Sequence, residues 1–491
     1  MKRSNVSFVV PCSRSFLVHS PFIIPQLHQI NQQKRQSEIK HKVVRAIMGL
    51  TKPKVPFHVS TIKKPQHEYN IFVDNTNLPF NHVWLKWSHG EKRFIHPLES
   101  LSVMSFVDTD VGDVVPVKAP PIESTPFKLV ETVQDLKELA AKLHSADEFA
   151  VDLEHNQYRT FQGLTCLMQI STRTEDFIVD TLKLHSSIGP YLREVFKDPS
   201  KRKVMHGADN DVVWLQRDFG IYICNLFDTH QASKVLKLER KSLEYLLCHF
   251  CDITANKEYQ SADWRLRPLP YEMLRYARED THYLLYIYDF MRIELFSMLK
   301  EPESVDAPLV EVYKCSYKVC MRLYEKELLT EKSFLRIYGL QGAGFNAQQL
   351  AVVSGLFKWR DFVARVKDDS TGYVLPNKSI LEIAKQMPVT ANNLRLLVNS
   401  RHPYVEHNLD SLVNIIRHSI QNTAAFEEIA QLLKTGHDVA TIAQQLTRHP
   451  AQEHNRHPIR IGSQVMEVLP LLLKKPRQAI RIGRVIGGGF R

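Results

Sequence analysis

No stretch of the 491-residue chain reaches the about 18 consecutive apolar residues that a membrane-spanning helix needs, so no such helix is expected. Cysteine is scarce. Seven residues, an odd number in so long a chain, make no disulfide framework and fit a reducing compartment. The one close pair, Cys248 and Cys251 in CHFC, has the spacing of half a zinc site, but no second pair follows nearby; two helix cysteines are expected there. The glycine-rich GLQGAG at 339–344 lacks the Lys-Ser/Thr of a phosphate-binding loop and reads as an interhelical turn. Internal repeats are absent. Acidic residues are missing from the first 37 positions, where Ser, Lys and Arg mix with short apolar runs such as Phe22–Ile24. That texture is open to an organellar transit peptide, although a disordered basic leader is the plainer reading of residues 1–50. Nothing there marks a secretory signal.

What is present is ordinary globular material, 44% hydrophobic and 24% charged, in a chain long enough for two or three domains. A net charge of +11 favours a polyanionic partner, nucleic acid first and an acidic membrane surface second. Residues 51–125, rich in proline, read as an extended segment that wraps a neighbouring domain. KAPPIESTPF at 118–127 reads as the linker that ends it. Beyond it come a helix at 129–146, strands in 149–153, 163–171 and 176–180, and a helix at 187–198 with a proline in its first turn. A strand at 203–207, a helix at 208–220 closed by Gly220 and a strand at 222–228 follow, and then helices to about residue 300. This is the pattern of a mixed α/β sheet flanked by helices over 126–300. Residues 301–344 read as a helical linker, 345–425 as an all-α bundle, and 426–491 as a helical then basic, flexible tail. In that tail Arg456, Arg460, Lys474, Lys475, Arg477, Arg481, Arg484 and Arg491 face a single acid after residue 453, Glu467, which suits either a solvated tail or a phosphate-binding arm.

The chemistry is carried by acids in unusual places. In AVDLEHN, 150–156, strand alternation sends Asp152 and Glu154 to one side of a buried strand. Two neighbouring carboxylates there need a counter-charge, and a hard divalent cation with oxygen ligands provides one. In HGADNDVVW, Asp209 is expected to cap the helix that follows; Asp211, deeper in the first turn, could point past the strand end towards Asp152. The segment 274–295 reads as one long helix that puts Tyr276, Asp280, Tyr283 or Leu284, and Ile287 on a mostly core-facing stripe. An acid in that stripe calls for an Arg or a metal beside it, and Tyr276, one turn earlier, would bring its hydroxyl to the same partner. Four acids and a tyrosine on separate elements suit a pair of divalent ions about 4 Å apart that activate water and stabilise a leaving 3′ oxygen.

VDLEHNQYRTFQGLTCLMQIST, HGADNDVVWLQRDFGIY and YQSADWRLRPLPYEMLRYAREDTHYLLYIYD closely resemble the three exonuclease motifs of the DEDD superfamily, tyrosine subtype, over roughly residues 120–300. Within it the chain is most similar to the nuclear exosome-associated 3′–5′ exoribonucleases of the ribosomal-RNA-processing type, related to bacterial ribonuclease D, and in wording to their plant members. The resemblance implies a ribonuclease H-like exonuclease fold. It assigns metal binding to Asp152, Glu154, Asp211 and Asp280, the catalytic tyrosine to Tyr276, and the hold on the terminal nucleotide to His155, Trp214 and Lys257. Without it, Trp214 would be read as core and Lys257 as a surface charge. Asp263, Trp264 and Arg265 fall in a loop whose role is structural in the family. The bundle at 345–420 resembles the helicase-and-ribonuclease-D C-terminal (HRDC) domain, which binds or guides RNA.

The function so implied is metal-dependent 3′–5′ trimming of single-stranded RNA ends to nucleoside 5′-monophosphates, with Mg²⁺, or Mn²⁺, in the nucleus beside the exosome core. Ribosomal-RNA processing and RNA decay are the implied settings. The helical N-terminal module that docks a small nuclear cofactor in this family has no counterpart in residues 1–50, so that cofactor is not expected to bind, and the C-terminal exosome-attachment region is short. The competing readings are a non-catalytic RNA or chromatin-associated scaffold and an organellar 3′-end-processing exonuclease.

Overall fold

The apolar runs between 127 and 228 form one six-stranded sheet. Ahead of it, β1 (Lys86–Ser88) and β2 (Arg93–Ile95) make a small antiparallel hairpin. The sheet comprises β3 (Phe127–Val130), β4 (Glu148–Asn156), β5 (Leu164–Ser171), β6 (Asp176–Val179), β7 (Arg202–Met205) and β8 (Leu226–Asp228), in the spatial order β3-β6-β5-β4-β7-β8. β5 is antiparallel to β4 and β6, while β3 runs parallel to β6 and β4 parallel to β7 and β8, so β5 opposes the other five. All residues of β5 and β6 are buried, as expected of strands covered on both faces. This computed structural model describes residues 55–108, 111, 114–298, 307–398 and 402–435. The leader at 1–50 and the basic tail at 449–491 lie outside the described residues, as do 301–306.

The helices around the sheet are α1 (Pro65–Glu68), α2 (Val133–Ser145), α3 (His185–Lys197), α4 (Asp211–Phe219), α5 (Thr229–Val235), α6 (Leu243–Cys251), α7 (Tyr271–His282), α8 (Leu284–Ser297) and α9 (Pro308–Cys320). α2 starts where the Thr132 hydroxyl accepts the Asp135 N–H at 3.2 Å, and it buries Leu136, Leu139, Ala140 and Leu143 at helical spacing. α4 ends at Gly220, in the left-handed conformation with φ +62°, where a Cβ would lie 2.3 Å from the Trp84 ring. Cys248 and Cys251 are free thiols on α6.

Several expectations need correction. The single helix at 274–295 is two helices that part at Tyr283, because His282 is pinned by the Asp176 carboxylate at 2.9 Å and the Pro120 carbonyl at 2.8 Å. α3 begins at His185, which leaves Pro190 inside the helix and not in its first turn. The linker at 118–127 is held down: Val117 N–H donates to Asp289 at 3.1 Å, and Arg278 donates to the carbonyls of Ile122 at 2.9 Å and Thr125 at 3.3 Å. α9, placed by sequence in a linker, buries Leu309, Val312, Tyr313, Val319 and Cys320 in the core of the sheet domain.

A second core belongs to the bundle of α10 (Ala347–Lys367), α11 (Thr371–Val374), α12 (Asn377–Gln386), α13 (Ala391–Val398), α14 (Pro403–Glu406), α15 (Leu409–Gln421) and α16 (Glu427–Lys434). α10 opens on a reciprocal cap between Asn346 and Gln349 and buries Leu350, Val353, Leu356 and Trp359 against Leu412 and Ile416. GLQGAG forms the short 3₁₀ turn Gln341–Ala343 ahead of it. The described residues from 60 to 108 reach both the sheet domain and the bundle. Asp74 pairs with Lys326 at 2.6 Å, and His82 Nδ1 lies 2.7 Å from the Tyr222 hydroxyl. Lys64 and Arg159 both reach the buried Asp369, at 2.9 and 2.7 Å.

The chain divides into two units. The small one comprises Met1–Val59 with Asn256–Asp263. Among its described residues, Asp263 accepts the Val59 N–H at 2.7 Å and donates its own N–H to Pro56 at 3.1 Å, and Lys257–Tyr259 form a 3₁₀ turn capped by Asn256.

Candidate active site

Period-two alternation puts Asp152 and Glu154 on one face of β4, and the antiparallel register sets Gln169 of β5 opposite Asp152 and Leu167 opposite Glu154. One residue on, the register slips: His155 pairs with Thr165, and Cys166 is left over as a bulge. α7 packs against β4 and β5 at this corner. Asp152, Glu154 and Asp280 each offer one carboxylate oxygen, all three within 4.8 Å of one another. One turn before Asp280, the Tyr276 hydroxyl hydrogen-bonds to its carboxylate, and the Tyr276 ring lies 6.0 Å from that of the buried Trp264.

Asp211 is the first residue of α4 and is buried, but it is outside that trio. The turn that delivers it is fixed by Asp228, whose carboxylate accepts the N–H groups of Gly207 at 2.8 Å and Ala208 at 3.1 Å. The expected cap at Asp209 does not form; its carboxylate pairs with Arg322 at 2.8 Å, and α4 starts without a side-chain cap.

Burial pushes the Asp152 carboxyl up to about 7. Glu154, Asp280 and Asp211 are all raised well above the usual carboxylate range, by burial first and then by the charge of Asp152, with Asp280 and Asp211 adding to the effect on Glu154. Tyr276 is held far above an ordinary phenol by burial, then by Asp280, Glu154 and Asp152. Four carboxyls so placed ionise together only against concentrated positive charge. An all-oxygen donor set of this kind fits hard divalent cations. The Gln169 amide agrees with that fit: it is fully buried beside the carboxylates, and neither its nitrogen nor its oxygen has a hydrogen-bond partner.

Beyond the bulge, the His155 ring stacks on Trp214 of α4, with centroids 3.9 Å apart and planes 4° from parallel. Arg217 Nη2 lies 3.0 Å from His155 Nε2. A guanidinium can only donate, so Nε2 accepts and the ring proton sits on Nδ1. Burial, then Arg217, lowers His155 to about 3, which keeps the ring neutral. Arg217 is held by Asp218 at 2.6 Å, and Asp218 accepts the Thr165 N–H at 3.0 Å and hydroxyl at 2.7 Å, so the bulge itself anchors the platform. Gly163, with φ +85°, gives the His155 ring its room: a Cβ there would be 2.2 Å from His155 Cε1. Lys257, the remaining predicted contact, opens the 3₁₀ turn of the small unit.

Sequence reasoning passed over Gln169, Arg217, Asp228 and Gly163. Gln169 left one signal, a long polar side chain in the apolar run CLMQIS. The others left none, because their work depends on the bulge and on which loops meet.

A family profile described as 3′-5′ exonuclease matches residues 127–295, and one described as HRDC domain matches 349–416. The chain is 69% identical over 383 residues to Protein RRP6-like 2 of Arabidopsis thaliana, a match covering 78% of this chain and 44% of that protein. It is 44% identical over 342 residues to Exosome complex component 10 of Homo sapiens, covering 70% of this chain and 38% of that protein. It therefore spans less than half the length of either curated relative. The catalytic core of RRP6 from Trypanosoma brucei superposes with a TM-score of 0.65 at 35% identity, covering 74% of this chain and 99% of that one.

Proposed function

We propose, starting from the fact that this chain belongs to the RRP6 family, that it is a divalent-metal-dependent 3′–5′ exoribonuclease. It trims single-stranded RNA ends to nucleoside 5′-monophosphates, works in the nucleus with the exosome core, and serves ribosomal-RNA processing and RNA decay. The observation that carries the reading is the convergence of Asp152, Glu154 and Asp280 within 4.8 Å, with the Tyr276 hydroxyl on Asp280. Asp152, Glu154 and Asp280 would hold divalent metal at the gathered site, and Asp211 would add a further carboxylate to the centre. Mg²⁺ is the expected ion, with Mn²⁺ as its substitute. Bound there, a pair of such ions supplies the charge that activates water and stabilises the leaving 3′ oxygen.

Tyr276 orients the attacking water. His155 and Trp214 offer the terminal nucleotide a flat aromatic surface. The exosome-linked setting is supported by the name of the human relative.

The test is purified protein with a 5′-labelled single-stranded RNA. With Mg²⁺ the RNA should shorten one nucleotide at a time from its 3′ end, and EDTA should stop it. Asp280→Asn and Asp211→Asn should each abolish trimming while leaving RNA binding in place. Normal trimming by both variants would defeat the assignment, and bound but unshortened RNA with the unaltered protein would leave a scaffold.

A further inference from the structure

Gln169 sits in the middle of β5, fully buried, with both polar atoms of its amide unpartnered. A core position that demanded only volume would be better filled by Leu or Met, because burying amide groups without partners costs stability. The register explains where the amide is. Gln169 is directly opposite Asp152 in an antiparallel pair, and directly opposed residues share a face, so the amide lies on the face that carries Asp152 and Glu154. The choice of residue type is informative as well. A Lys or Arg here would neutralise the carboxylates and compete with a cation, whereas an amide N–H steadies a carboxylate without adding charge.

We propose that Gln169 is a positioning residue for the metal centre: its amide N–H, unpartnered in this structure, engages the Glu154 carboxylate and fixes its ligating orientation once a cation is bound. This rests on the metal-dependent reading above. Groups that orient a metal's ligands commonly change metal affinity by about 10- to 100-fold when removed.

The experiment measures Mn²⁺ binding and thermal unfolding in EDTA for the full chain and for Gln169→Met and Gln169→Leu. Both variants should unfold in EDTA at the same temperature as the unaltered protein or higher, while the Mn²⁺ dissociation constant rises about 10-fold or more. Independently of any variant, the Gln169 side-chain amide protons of the unaltered protein should shift and gain exchange protection when Mg²⁺ is added. A lower unfolding temperature with an unchanged Mn²⁺ constant, or an amide resonance indifferent to Mg²⁺, would make Gln169 a packing residue and overturn the proposal. An unaltered protein that binds no Mn²⁺ would remove the metal reading itself. Binding by the unaltered protein that both variants match would remove the role of Gln169 alone.

Discussion

Tyr276 shares a hydrogen bond with Asp280, and its surroundings hold the phenolic proton in place. Tyr276→Phe should therefore leave Mn²⁺ affinity and KM for RNA nearly unchanged and lower kcat by about 10²-fold or more, a split that single-turnover trimming would read. An equal loss of Mn²⁺ affinity would make the hydroxyl part of the ion site. At this scale much of the candidate site could be read from the chain. Acids at the buried positions 154, 211 and 280 and the half-buried position 152 are costly without partners, and costly residues stand out against an apolar background. Gly163 and Arg217 do not stand out. A glycine before a strand and an arginine on a helix are common, and what they do for His155 depends on a register slip that no spacing announces.

Elements were easier to find than to delimit. The periods that marked α2, β4, β5 and α4 come from burial on one or both faces, which repeats along each element. The break between α7 and α8 has no such signature, because both halves continue an apolar spacing and the interruption comes from partners more than 100 residues earlier, at Asp176 and Pro120. The start of α4 also lacks a local signature: Asp228, on β8, fixes that turn in place of a local cap. Asp228 also caps α5 by accepting the His230 N–H at 2.8 Å. Asp228→Ala strips three backbone N–H groups of their acceptor and should cost about 2–3 kcal/mol of stability by urea unfolding. It should also weaken Mn²⁺ binding through Asp211. A variant as stable as the unaltered protein would show that the turn holds without it.

Across the whole molecule the acids and the buried bases pull stability in opposite directions. His155 and His206, both lowered to about 3, and Lys203, lowered to about 7, favour the fold as pH rises, because the unfolded chain would take up their protons first. The site carboxyls have raised folded values, so they favour the fold at low pH and oppose it as pH climbs from their ordinary range past about 7, the value of Asp152. Comparing melting with Mg²⁺ and with EDTA cancels the histidines and the lysine, which leaves the carboxyls. The Mg²⁺-induced rise in Tm should therefore grow between pH 6.5 and pH 8, since fewer protons remain to be displaced. A shift that stays flat or shrinks over that interval would contradict the assignment of these acids to the ion.

The separation of Asp211 from the other three acids bears on how the centre fills. A pocket with three oxygens already gathered can load from solution. A second ion beside it, with Asp211 as its added protein ligand, would have fewer protein oxygens and would need a nucleic-acid phosphate to finish its shell. Calorimetric titration should then count one equivalent of Mg²⁺ for the free protein and two in the presence of a non-hydrolysable RNA, so the polymer would bring its own activator to an enzyme that stays half-charged while idle.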